Sequence, residues 1–151
     1  MVSFIALTEA MVSALRAIPE VVALLGGDPS AIESYIDRTP EKNSVSAAIY
    51  QMRAGSVLVV WRETLLAEGD IEGWVHNIEI CLRAARGGSV LELGIAIING
   101  TPVPGDGQRW RYCPLMEGVL PTTIPLINRP MDEEGIDYFT IMTETKETGD
   151  A

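Results

Sequence analysis

The sequence predicts an α+β fold, a mainly antiparallel β-sheet with one or two helices packed on one face, and three observations carry that prediction. Ser56 to Thr64, rich in β-branched residues, and Trp74 to Leu82, which alternates, flank a polar turn and read as a β-hairpin. A second pair of runs, Ile124 to Met131 and Ile136 to Thr145, brackets Asp132-Glu133-Glu134-Gly135, whose glycine suits the left-handed position of a four-residue hairpin loop. Helical spacing is confined to short segments. The 151 residues fit one domain, and a domain of that size buries roughly 68 to 70% of the surface its unfolded chain exposes, so it needs no metal or disulfide staple.

Along the chain, Leu7, Met11, Ala14, Leu15 and Ile18 fall at helical spacing, with Thr8 available as an N-cap and Pro19 ending the pattern. Glu20 to Leu25 adds one apolar turn, stopped by Gly26-Gly27, and Asp28-Pro29 makes a turn. Ala31 to Ile36 alternates and is expected as a short strand. Arg38 to Ser46 is polar and contains Pro40, so it reads as a loop, and Val45 to Met52 fits either an extended run or a helical turn. Glu68-Gly69-Asp70 and Glu72-Gly73 supply the turn of the first hairpin. Val90 to Asn99 alternates like a strand, yet Ser89 suits an N-cap and Gly100 a helix end, and a buried helix is expected despite the cost of about 1 kcal/mol for Gly94 in a helix interior. Thr101 to Arg109 is a loop by its turn residues, Arg109 to Leu115 a short strand, and Glu117 to Thr123 irregular. Pro125 and Pro130 make the run from Ile124 an edge strand. From about Lys146 the polar C-terminal residues are expected to fray.

Composition narrows the function. A 47% apolar and 21% charged chain belongs to the ordinary globular class. A formal net charge of −10 argues against general nucleic-acid binding, because duplex DNA carries about one negative charge per 1.7 Å of axis and repels it. The N-terminal segment lacks a basic region and is broken by Glu9, Arg16, Pro19 and Glu20, unlike a signal peptide. No stretch has the ~18 apolar residues of a membrane span. Cys81 and Cys113 lie in unrelated contexts and read as idle thiols in a reducing cytoplasm.

The search for chemistry returns little, so no enzyme activity and no cofactor are expected. His76 is the single histidine, which removes every metal site needing two imidazoles and weakens any catalytic triad. It shares a strand face with Trp74 and Ile78, the setting of a packed histidine. Asp132, Glu133 and Glu134 form a carboxylate cluster that could hold a hard cation, but consecutive side chains diverge and do not match an EF-hand loop, so a solvated hairpin tip is expected. Gly105-Asp106-Gly107 lacks the phosphate-cradle pattern. Arg109, Trp110 and Arg111 place two guanidinium groups around an indole, which suits a stacked base or, in so acidic a chain, a protein partner. A strand with Trp110 inward and both arginines outward accounts for the same triplet.

The order of these pieces resembles the tail terminator proteins of long-tailed bacteriophages. The residues that carry the likeness are Gly55 to Trp61, Glu72-Gly73-Trp74-Val75-His76, Asn99-Gly100-Thr101-Pro102 with Gly105-Asp106-Gly107, and Asp132 to Tyr138 leading to Glu147-Thr148-Gly149-Asp150. The resemblance implies a virion protein of the tail and neck, present in the host cytoplasm before assembly. It further implies a hexameric ring of the chain with itself, capping the tail tube protein, stopping tube growth and meeting the head completion or connector protein. DNA would pass through such a ring without specific binding, and Glu68, Asp70 and Glu72, or the Asp132 to Glu134 tip, would keep the bore repulsive. Thr101 to Arg109 and Glu133-Glu134 are the candidate ring contacts. The alternatives are another neck or tail component, such as a head completion, stopper or tube protein, and a carboxylate-metal hydrolase at Asp132 to Glu134.

Overall fold

Three long strands form the centre of the molecule: β2 (Ser56–Leu66), β3 (Gly73–Arg83) and β7 (Tyr138–Thr148), each of 11 residues. The computed structural model describes residues 4–35, 52–66, 73–100, 102–103, 106–110, 122–128 and 138–148, with backbone alone at 102–103, 106–110, 125 and 148. At about 3.3 Å per residue each long strand spans roughly 36 Å. β3 pairs antiparallel with β2 on one side and β7 on the other. Short strands β1 (Ile32–Tyr35) and β6 (Thr123–Asn128) close the sheet in the order β1-β2-β3-β7-β6, and only β1 runs parallel to its neighbour. The α+β prediction, both hairpin pairings and the edge position of β6 agree with this sheet.

Helices α1 (Phe4–Arg16), α2 (Pro19–Leu24) and α3 (Val90–Asn99) cover one face. Leu7, Met11 and Leu15 of α1, and Leu93 and Ile97 of α3, join Val57, Val59, Ile78, Ile80, Leu82 and Ile141 in one core. The opposite face has a smaller cluster of Met52, Val60 and Cys81. α1 begins at Phe4, earlier than its spacing suggests, and Thr8 is therefore not its cap. Thr8 is buried inside the helix, where its hydroxyl satisfies itself by donating to the Phe4 carbonyl at 2.7 Å. Pro19 ends that pattern and opens α2, since its missing N–H costs nothing in a first turn. Gly26 and Gly27 close α2 at φ +79° and +80°, and the Gly27 amide reaches back to the Val22 carbonyl. The Asp28-Pro29 turn continues as a 3-10 turn over Pro29–Ala31, whose Ser30 amide and hydroxyl bond to the Asp28 carboxylate.

α3 confirms the helical reading of Val90 to Asn99, with the Ser89 hydroxyl accepting from the Glu92 amide. Its interior glycine, Gly94, and the glycine that caps it, Gly100, differ in what they require. Gly100 is right-handed at φ −73°, so conformation does not require glycine; space does, because a Cβ there would lie 2.7 Å from Ile18 Cγ2. A Cβ at Gly94 would meet Leu82 and Phe139 at an ordinary 3.6 Å. Gly94→Ala is therefore expected to stabilise by up to about 1 kcal/mol, and Gly100→Ala to destabilise by about 1 to 3 kcal/mol through overpacking. Urea midpoints moving in opposite directions would check both.

Two expectations need correction. Thr101 to Arg109 is not all loop, because β4 (Pro102–Val103) and β5 (Asp106–Trp110) pair as an antiparallel ribbon. The prolines and glycines that signalled a loop frame strands too short to show a pattern. Nor does the chain fray at Lys146: Lys146, Glu147 and Thr148 pair with Val75, Trp74 and Gly73, and Glu147 is buried. Of the remaining segments, 36–51, 67–72, 111–121 and 129–137 lie outside the described residues, and with them the Arg38 to Ser46 loop, most of Val45 to Met52, both hairpin turns and Cys113.

Candidate functional site

The polar centre of the molecule is created by one extra residue. Along β2, Val57, Val59 and Trp61 face the helices, opposite Leu82, Ile80 and Ile78. A register shift between Trp61 and Glu63 leaves Arg62 without a partner residue, after which Glu63 pairs with Asn77 and Thr64 with His76. Such a bulge reverses the parity of the strand beyond it. Thr64, an even-numbered residue, thereby joins odd-numbered Trp61 on the helix-covered face.

There the side chains interlock. The Trp61 indole N–H donates to Thr64 Oγ1 at 2.9 Å, and Phe4 of α1 stacks on the indole with ring centroids 4.0 Å apart. Thr64 Oγ1 lies 2.9 Å from His76 Nδ1, and His76 Nε2 lies 3.0 Å from Glu147 Oε2. Trp61 can only donate, so Thr64 accepts there. With a hydrogen on Nε2 facing the carboxylate, a neutral ring offers Nδ1 as the acceptor of the Thr64 hydroxyl proton. Beside this chain the buried hydroxyls of Thr122 and Thr145 bond at 2.7 Å.

Hydroxyl, imidazole and carboxylate have the connectivity of a catalytic relay. The geometry serves a different purpose. His76 is 1% exposed, and the Thr64 oxygen is already engaged by Trp61. The arrangement is a polar lock that ties β2, β3 and β7 together beneath the start of α1. His76 is thus the packed histidine its strand face suggested, while Glu147 and Thr64 escaped sequence reasoning altogether.

On the opposite face Arg62 places Nη2 3.4 Å from both oxygens of Glu79, and Cys81 Sγ donates to Glu79 at 3.4 Å. Burial, with the Glu79 carboxylate adding to it, pushes the Cys81 thiol far above its ordinary range, so this cysteine is unreactive. Among the described residues no three metal-ligating side chains converge. A cleft of about 420 Å³ lies beside β1 and β2, lined by Glu33, Met52, Arg53 and Leu58 among others, with Arg53 held 3.6 Å from Asp28.

The surface carries the other distinctive features. Leu65 and Leu66, at the far end of β2, are exposed, as are Leu91 and Ile95 on α3 and Leu126 and Ile127 on β6. The backbone of Arg109 and Trp110 lies in β5. Arg111, Asp132, Glu133, Glu134, Glu68, Asp70 and Glu72 all lie outside the described residues.

No protein-family profile and no curated protein matches the sequence. Among solved structures, the fold is similar to a chain from the virion of a native gene transfer agent particle. The TM-score is 0.56, with 15% identity over 95% of this chain and 95% of that one. At that identity the likeness establishes a shared fold.

Proposed function

We propose that this chain is a structural subunit of a phage-like virion, and within that class a tail terminator. The observation that carries the reading is the end-to-end fold similarity to a virion chain, over 95% of this chain and 95% of that one. The locked interior supports it, because the one histidine is spent on holding three strands together. In this reading copies of the chain form a ring, six in number as the resemblance implies, on the last ring of the tail tube. The ring stops tube growth and offers its other side to the head connector. The polar segments at Thr101 to Arg109 and Asp132 to Glu134, with Arg109, Trp110 and Arg111, are the proposed partner contacts. Glu68, Asp70 and Glu72, between the ends of the long β2–β3 hairpin, are the proposed lining of the bore, where repulsion lets DNA pass.

Electron microscopy of particles made with and without this chain tests the reading. Overlong tails, or tails that fail to join heads, are expected in its absence. Normal particles would reject the proposal, and open-ended tubes assembled from this chain alone would point to a tube subunit instead.

A further inference from the structure

Of the four asparagines in the sequence, Asn99 alone precedes a glycine. Asn99 is the last residue of α3, and both it and Gly100 are exposed. The Gly100 amide bonds to the Ile97 carbonyl at 3.4 Å. Such bonds are commonly about 2.9 to 3.0 Å long, so this nitrogen is loosely held. Packing fixes glycine at this position, because a Cβ would fall 2.7 Å from Ile18 Cγ2 and 2.8 Å from the Ala96 carbonyl oxygen. The crowding that excludes a side chain from residue 100 therefore also leaves its amide nitrogen unshielded beside the Asn99 carboxamide. Asn77 offers the contrast: its Nδ2 donates to Glu63 at 3.0 Å, it sits inside β3, and branched Ile78 follows it. Asn43 precedes Ser44 and Asn128 precedes Arg129, so in both the next nitrogen carries a side chain beside it.

We propose that the Asn99-Gly100 junction is a site of spontaneous deamidation, a covalent change that the chain makes to itself. The Gly100 nitrogen, giving up its proton, attacks Asn99 Cγ. The new N–C bond closes a succinimide ring as the Cγ–Nδ2 bond breaks, and ammonia leaves with the proton. Water then opens the ring. Cleavage of the Cγ–N bond gives aspartate, whereas cleavage at the Asn99 main-chain carbonyl gives isoaspartate, with one more carbon in the main chain. Helical geometry at Asn99 holds the nitrogen away from Cγ, and the final residue of a helix is where leaving that geometry costs least. Either product places a carboxylate at the negative end of the α3 dipole, where it is repelled. The isoaspartyl link also displaces Gly100, which Ile18 crowds, so this product is the less stable of the two. The proposal stands on the junction and not on the virion reading.

Incubation of the intact, folded chain at mildly alkaline pH, followed by tryptic digestion and mass spectrometry against an unincubated sample, is the test. Cleavage after Arg86 and Arg109 isolates residues 87–109, in which Asn99 is the single asparagine. That peptide should gain the mass difference between an amide and an acid, with fragmentation placing the gain at residue 99. It should also accept labelled methyl groups from an isoaspartate methyltransferase. The peptide 63–83, which carries Asn77, should stay unchanged over the same time. Asn99→Gln is the control: the position is exposed, circular dichroism checks that the variant folds, and its longer side chain should abolish both the mass gain and the methyl label. Chains separated by their added charge should unfold at lower urea than unconverted ones, the isoaspartyl fraction lowest. The proposal is overturned by a folded chain whose Asn99 stays an amide while the same chain converts in urea, by equal conversion at Asn77, or by undiminished label in Asn99→Gln.

Discussion

Replacing His76 by alanine is expected to lower the unfolding free energy by about 3 to 5 kcal/mol, the scale of a broken buried polar network with a cavity left behind. Three losses coincide. Glu147, 7% exposed, gives up a donor at 3.0 Å; Thr64 gives up the acceptor of its hydroxyl proton; and the volume of an imidazole at 1% exposure is emptied. An exposed ion pair would be worth no more than about 1 kcal/mol. The two cases are therefore separable by urea denaturation. A loss below about 1 kcal/mol would mean that the imidazole does not tie the strands together. Thr64→Val, which keeps the shape and removes the hydroxyl, should cost less than His76→Ala because the imidazole remains to fill its space.

Leu82→Ala is expected to cost a similar amount, in the upper part of the roughly 2 to 5 kcal/mol range for such truncations. Where a variant falls in that range depends on whether neighbours can close the gap. Leu82 is fully buried, and what faces it across the layer is Gly94 of α3, beside Phe139. A glycine has no side chain to lean into the void. Movement of α3 to fill the space would work against its packing on α2 and β7. Unfolding of Leu82→Ala in urea, with an unchanged slope, would measure the cost, and a loss under about 2 kcal/mol would show that the helix settles onto the sheet.

Much of the fold could be read locally. The alternation of Trp74 to Leu82, the β-branched run from Ser56, the Ser89 cap and the Gly26-Gly27 stop each act over a few residues, and each has its expected counterpart. The lock was not legible, for physical reasons that differ by residue. Thr64 looks misplaced by simple alternation, because the parity change at Arg62 depends on pairing with another strand. Glu147 lies 71 positions from His76 in the chain, inside a polar run that resembles a fraying tail. Its burial comes from β3, not from any neighbour in sequence. Alternating Leu91, Leu93, Ile95 and Ile97 mimicked a strand because α3 also bears apolar residues on its outer side, where Leu91 and Ile95 stand exposed.

The bulge at Arg62 divides the β2–β3 hairpin into two lengths with separate obligations. On one side alternate positions answer to the helices; on the other, past the lock, Leu65 and Leu66 stand exposed. Residues added there in matched pairs on both strands would lengthen the projection without turning a single core side chain around. Reach is thus an adjustable dimension of this scaffold, set by altering that projection alone.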